Sequence, residues 1–278
     1  MRVGRMGIIA GFMVLTGCTL DEQAVYFPAR WQQADWAVQS GLPLEEVWLT
    51  AADGTKLYGW FVEAAGSPAV LLWCHGNAGN IIHRLDNIGE LHRRGISVLI
   101  FDYRGYGLSE GRPSESGLYQ DALAAYDWLV SQRRIPPERI VVFGRSLGAA
   151  VAGELATKRQ AAGLILETPF PSVRAVARAH YGWFPAHWFV RARYDLASRL
   201  PKLTLPILVL HGDRDEVIPL ELGRQVYAQA PDPKDFYVIA GATHNDTYVI
   251  GGEAYFQRLI AFLRQVTSAS SGTTIETR

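Results

Sequence analysis

The chain has 278 residues, of which 49% are hydrophobic and only 19% charged, enough apolar material to bury one large α/β core or two smaller ones. Twenty-seven basic residues balance 27 acidic ones, so no net field draws the chain to nucleic acid, and nucleic acid is excluded as a partner. Fourteen prolines and 27 glycines punctuate the whole length, with no internal repeat and no low-complexity core.

The first residues read as a leader. Arg2 and Arg5 precede a short apolar run, residues 6–15, that is too short to cross a bilayer. It closes in Leu15-Thr16-Gly17-Cys18, which resembles the lipobox of bacterial lipoproteins. That resemblance implies a signal peptide over residues 1–17, cleavage before Cys18, and lipid modification of Cys18. Several acyl chains there would anchor the chain stably to a membrane. Thr19 is not aspartate, which by the sorting rule of those lipoproteins favours the outer membrane, with the remaining chain outside the cytoplasm. An ordinary secretory signal is the alternative. Cys74 is then the only other cysteine, and at the end of an apolar run it reads as a buried small hydrophobe.

Residues 18–43 read as a tether and arm, in which Tyr26, Phe27, Trp31 and Trp36 point to docking on a domain. The domain spans residues 44–266. Segments 47–50 and 56–62 flank Asp53-Gly54, a hairpin signal. Residues 69–74 form an unbroken apolar run, as a strand covered on both faces does. Ile81, Ile82, Leu85, Ile88 and Leu91 then share one side of a helix that ends at Gly95. The alternation continues with strands at 96–101, 139–143, 163–166, 207–210 and 236–239. Helices are expected at 118–130, 147–156 and 220–230, and a last one carries Tyr255, Leu259, Phe262, Leu263 and Val266 on one side. Strands alternating with helices predict a mixed, mostly parallel sheet with helices on both faces. An insertion at 168–205, helical over 173–200 and rich in aromatic residues, would form a small cap above the carboxyl edge of the sheet. Residues 267–278 are Ser/Thr-rich and read as a disordered tail.

The chemistry centres on Gly144-Arg145-Ser146-Leu147-Gly148, placed between an apolar strand and an alanine-rich helix. A serine on such a turn projects its hydroxyl above the sheet edge, and a Cβ at either glycine would strike the neighbouring strand or helix. An alcohol is a weak nucleophile at neutral pH, so Ser146 requires a base and an acid that orients the base. In a parallel sheet both must come from loops at the carboxyl ends of strands. Among the seven histidines, His244 lies just after the strand at 236–239 and is the expected base; His75 and His211, each before a glycine at a strand end, read as structural. Asp215 is the expected acid, with Asp213 and Glu167 as rivals. The order serine, acid, histidine suits this elbow. Negative charge on the substrate oxygen needs prepositioned donors, here the backbone N–H groups of Leu147 and of Asn77 in the small-residue loop 75–80. No Cys/His cluster has metal-ligand spacing, and no cofactor is expected.

Five motifs, in order, look like α/β-hydrolases of the Bem46 type: residues 75–80, Asp102 to Gly111 (Asp-Tyr-Arg-Gly-Tyr-Gly-Leu-Ser-Glu-Gly), the Ser146 elbow, His211-Gly212-Asp213-Arg214-Asp215, and the His244 loop. The resemblance runs over residues 47–266. It implies the α/β-hydrolase fold and a Ser-Asp-His hydrolase, with the family's acid position on Asp215, and a bracing role for residues 102–111. The substrate expected is an acyl or lipid-like ester or thioester, cleaved through an acyl-enzyme. A peptidase on the same triad and a non-catalytic envelope lipoprotein are the alternatives. Within the cap, Arg174, Arg178, Arg191, Arg193, Arg199 and Lys202 face one acid, Asp195, a local charge of +5. Two readings stay open for these side chains: an anionic head group or membrane surface, or the ordinary outer faces of surface helices.

Overall fold

A computed structural model describes residues 25–31, 41–182 and 192–271. The leader, Cys18, Trp36 and the cap residues Trp183, Phe184, His187, Trp188, Phe189 and Arg191 lie outside the described residues. One eight-stranded sheet organises the rest. Its strands are β2 (Leu44–Thr50), β3 (Lys56–Val62), β4 (Val70–Cys74), β6 (Ser97–Phe101), β7 (Ile140–Arg145), β8 (Gly163–Glu167), β9 (Ile207–Gly212) and β10 (Lys234–Ile239). Their order across the sheet is β10-β9-β8-β7-β4-β6-β3-β2. The pairs from β6 through β10 are parallel, while β2 and β3 run antiparallel to their neighbours, so the sheet is mixed. A second, two-stranded ribbon joins β1 (Phe27–Pro28) to β5 (Ala78–Gly79).

The strand sequences explain these positions. Every residue of β4, β6, β7, β8 and β9 is buried, because helices cover both faces. β2 sits at an edge, and only Val47 and Leu49 are buried along it, the period of two that one wet face imposes. Alternate residues of one strand feed two separate cores. Leu72 and Cys74 face the core built with α2 (Glu115–Ser131), α3 (Leu147–Lys158) and α5 (Leu220–Gln229). Leu71 and Trp73 face the core built with α1 (Leu85–Arg93) and α6 (Thr247–Ser271, broken at Gly252, φ 49°, ψ −137°). α2 begins where the Ser114 side chain accepts from Gly117 N–H, and it buries Leu118, Ala122, Ala125 and Leu129 at helical spacing. Among the described residues no helix is long and apolar enough to cross a membrane.

Two segments differ from the sequence reading. The described cap helix, α4, covers Val173–Tyr181, and from residue 192 to 198 the chain is not helical. Tyr194 (φ 41°) and Leu196 are fully buried there, and the Glu115 carboxylate accepts from the N–H groups of Arg193 and Tyr194. Side chains driven into the core and a carboxylate holding the backbone outweigh local helix preference. At the other end, α6 continues through Ser271, past the expected boundary at Val266. The Thr267 hydroxyl donates to Leu263 O at 2.8 Å, so the residue satisfies itself within the helix.

Candidate active site

β7 ends at Arg145, and α3 begins at Leu147, so the chain reverses within a single residue. Ser146 takes φ 55°, ψ −122°, a conformation that L-residues rarely adopt. Glycine flanks it of necessity. A Cβ on Gly148 would lie 2.0 Å from Cys74 O, and one on Gly144 would lie 2.4 Å from Gly148 O.

Two other strand ends deliver the partners. After β9, Asp215 Oδ1 accepts from Val217 N–H at 2.9 Å and Ile218 N–H at 2.7 Å, which turns Oδ2 towards the loop after β10. That oxygen lies 2.8 Å from His244 Nδ1, and His244 Nε2 lies 3.1 Å from Ser146 Oγ. All three residues are buried, at 6% to 8% exposure. The structure thus brings together Ser146, Asp215 and His244.

The rival acids are used elsewhere. Asp213 Oδ1 accepts from Gly241 N–H at 2.7 Å and fixes the turn that leads to His244. The Glu167 carboxylate is fully buried, accepts from the Thr247 and Tyr255 hydroxyls, and lies 3.2 Å from Arg145 Nε. Arg145 Nη2 in turn donates to His244 O at 2.6 Å. Arg145 and Glu167 therefore form a clamp on the histidine loop, which the sequence reading missed. Both were in view, Arg145 inside the elbow and Glu167 as an acid, but their pairing across β7 and β8 was not.

The remaining described histidines do not reach Ser146. His75 is fully buried with Nδ1 2.7 Å from Gly76 O, and burial lowers its pKa to about 3. His211 Nε2 lies 2.8 Å from Ile218 O, and burial lowers its pKa too. Asn80 N–H donates to His83 Nδ1, and His180 Nε2 sits 2.8 Å from Val217 O on the cap side. Cys74 is fully buried, which pushes its thiol up to about 12 and leaves it inert.

The loop after β4 passes beside the elbow. A Cβ on Gly76 would lie 3.6 Å from Ser146 Cβ, which places Asn77 next to the serine's surroundings. Leu147 opens α3, so its N–H belongs to the first turn, where intrahelical acceptors are lacking. Residues 102–111 brace this loop. Tyr103 OH donates to His75 O at 3.0 Å, Tyr106 OH to Asn77 O at 2.8 Å, and Ile81 N–H to Asp102 Oδ1 at 3.0 Å. Burial raises the pKa of Asp102 to about 7. Of the basic cap residues, Arg174, Arg178, Arg193 and Lys202 are exposed. Arg199 instead is half-buried and pairs with Glu154.

Against known proteins, the Hydrolase_4 family model, described as Serine aminopeptidase, S33, matches residues 66–189 and 185–247. An uncharacterised protein of Mycobacterium tuberculosis is 36% identical over 266 residues, covering 95% of this chain and 94% of that one. Lysophosphatidylserine lipase ABHD12 of Macaca fascicularis is 35% identical over 211 residues, 68% of this chain and 52% of the relative. Among solved structures, an alpha-beta hydrolase from Vibrio vulnificus superposes with a TM-score of 0.70 at 28% identity, over 82% of this chain and 84% of that one.

Proposed function

This chain belongs to the Hydrolase_4 family and is an enzyme of the α/β-hydrolase type, and from that premise we propose that it cleaves carboxylic esters or thioesters of acyl, lipid-like substrates through Ser146, His244 and Asp215. The observation that carries this reading is the continuous contact from Asp215 Oδ2 through His244 to Ser146 Oγ, at 2.8 and 3.1 Å. His244 Nδ1–H donates to Asp215, which fixes the tautomer and leaves Nε2 to take the Ser146 proton as Oγ bonds to the acyl carbon. The carbonyl oxygen becomes an oxyanion held by the N–H groups of Asn77 and Leu147. Collapse breaks the bond to the leaving oxygen or sulfur, which receives the proton from His244. Water, deprotonated by the same imidazole, then releases the acid from Ser146.

An acyl substrate is supported by the relative named as a lysophosphatidylserine lipase. The exposed Arg174 and Arg178 on the cap suit an anionic head group. The family description names an aminopeptidase, so amide cleavage on the same triad is the second reading. The motif order supports placing the chain with the Bem46 type. Its leader supports a lipoprotein anchored through Cys18 in the bacterial envelope, the outer membrane favoured, with the domain outside the cytoplasm.

A fluorophosphonate probe tests the nucleophile: wild-type protein should be labelled and Ser146→Ala should not. Equal labelling of both would end the proposal. p-Nitrophenyl esters, acyl thioesters and aminoacyl p-nitroanilides of graded size separate the substrate classes, and turnover confined to the anilides would replace the esterase reading with the peptidase one. Cys18→Ser should move the protein from the membrane to the soluble fraction; unchanged partitioning would remove the lipid anchor.

A further inference from the structure

The arm upstream of the sheet is joined to the loop assigned to the oxyanion. β1 lies parallel to β5, with Phe27 opposite Ala78 and Pro28 opposite Gly79. Phe27 N–H donates to Asn77 O and Ala29 N–H to Gly79 O, each at 3.0 Å. In the reverse direction Asn77 Nδ2 donates to Val25 O at 2.9 Å and Asn80 Nδ2 to Ala29 O at 3.1 Å. The arm also ties this loop to the bracing loop. Gly107 N–H donates to Ala29 O at 3.1 Å, and Arg30 Nη1 donates to Ser109 O at 2.8 Å. On the cap side, the buried hydroxyls of Tyr26 and Tyr194 are 2.7 Å apart.

The sequence Gly76-Asn77-Ala78-Gly79 offers little side chain with which to pack itself, and Ala78 is exposed. A small-residue loop approaches substrate closely, but its backbone is free to wander. An oxyanion donor works only within about 2.7–3.1 Å of the developing charge. At Asn77 the order comes from outside the loop. Its carbonyl accepts from Phe27 N–H and from Tyr106 OH, and its amide is spent on Val25 O. Three of these contacts hold one residue in place, and the arm supplies two of them. The arm also lies upstream of residues 66–247, the stretch that the family model matches.

We propose that residues 25–30 are a positioning element of the oxyanion loop, setting the direction of the Asn77 N–H, in addition to linking the domain to its leader. The proposal rests on the serine-hydrolase reading above.

The test uses the full chain with three substitutions. Phe27→Pro deletes the N–H that holds Asn77 O. Phe27→Ala keeps that N–H and serves as its reference, since the ring is lost from both. Asn77→Ala removes the amide to Val25 O and keeps the residue's own N–H. For each, kcat and KM on p-nitrophenyl butyrate are measured, with the Ki of an alkyl trifluoromethyl ketone, whose hemiketal oxygen needs the same donors. Phe27→Pro should lose 10- to 100-fold in kcat relative to Phe27→Ala, and Asn77→Ala a similar factor relative to wild type. KM should stay within about twofold, and ketone affinity should fall in step with kcat. Folded variants with kcat within threefold of their references, or losses confined to KM, would overturn the proposal. Should Phe27→Pro fail to fold, Asn77→Ala decides alone, since it trims only one side chain of a half-buried residue. Wild-type protein that is neither labelled by the fluorophosphonate nor active would instead sink the underlying reading.

Discussion

Replacing Glu167 by glutamine separates a structural carboxylate from a catalytic one. Its carboxylate is fully buried between the Thr247 and Tyr255 hydroxyls and the Arg145 guanidinium, whose own side chain is 7% exposed. Glutamine keeps the shape but removes the charge, so Arg145 becomes a buried cation without its nearest anion. Breaking such a pair from one side costs roughly 3–5 kcal/mol, equivalent to a fall in Tm on the order of 10 °C for a domain of this size. Because Arg145 Nη2 also holds His244 O, the imidazole should lose alignment, and kcat should fall by about 10- to 100-fold. Thermal unfolding by far-UV circular dichroism and turnover of p-nitrophenyl butyrate report the two effects separately. A Tm within about 2 °C of wild type, or a 10⁴-fold loss of kcat without loss of stability, would refute the clamp and return Glu167 to the role of acid.

The reverse pattern is expected at Asp215. Asp215→Asn should lower kcat by about 10⁴-fold, while Asp213→Asn, which can still accept from Gly241 N–H, should stay within a few-fold; steady-state kinetics giving the opposite ranking would overturn the assignment. Gly148→Ala would place a methyl 2.0 Å from Cys74 O and 2.5 Å from His75 O, so two backbones must separate. The cost should exceed the ~1–3 kcal/mol of ordinary overpacking, and soluble, active protein with an unchanged Tm would contradict the geometry. A last prediction concerns pH. Burial raises Asp102 from 3.8 to about 7, so its contribution to stability is present below pH 3.8 and is lost as pH rises to 7. Burial lowers His75 from 6.5 to about 3, so its contribution is present above pH 6.5 and is lost as pH falls to 3. The two slopes oppose each other between pH 3.8 and 6.5. His75 Nε2 lies 3.7 Å from Asp102 Oδ1, so each variant also alters the other group's surroundings. Relative to wild type, Asp102→Asn should gain stability with rising pH across that window, and His75→Gln should show the opposite trend. Parallel stability profiles from urea titrations at pH 4, 5 and 6 would refute both signs.

The geometry of the candidate site was legible because topology restricts it. Once strands and helices alternate, only residues after strand ends can meet, and that filter leaves His244, His75 and His211 as bases and Asp215, Asp213 and Glu167 as acids. The loop position singles out His244, and the family resemblance puts the acid on Asp215. Glu167 passed the same filter and was separated only by side-chain direction, which strand periodicity does not encode for the last residue of β8. The arm docks through Tyr26 and Trp31, as the aromatic pattern implies, but not through the ring of Phe27, which is 54% exposed and makes its contact through the backbone. Patterns of side chains cannot register a backbone donor. Composition misleads at two places: residues 192–198 hold helix-forming types but are held by buried Tyr194 and Leu196. The Ser/Thr-rich residues 267–271 stay helical, with the Thr267 hydroxyl satisfied within α6, while 272–278 lie outside the described residues.

The conformation of Ser146 carries a consequence for how such an enzyme ages under mutation. A non-glycine residue at φ 55°, ψ −122° holds about 1–3 kcal/mol of strain, and nothing in the sheet or helix requires a side chain there. Ser146→Gly would relax that turn, so the glycine variant should melt higher than the wild type. On the proposed reading, selection for folding alone would erode the nucleophile first, and turnover is what would hold a serine against the strain of its own scaffold.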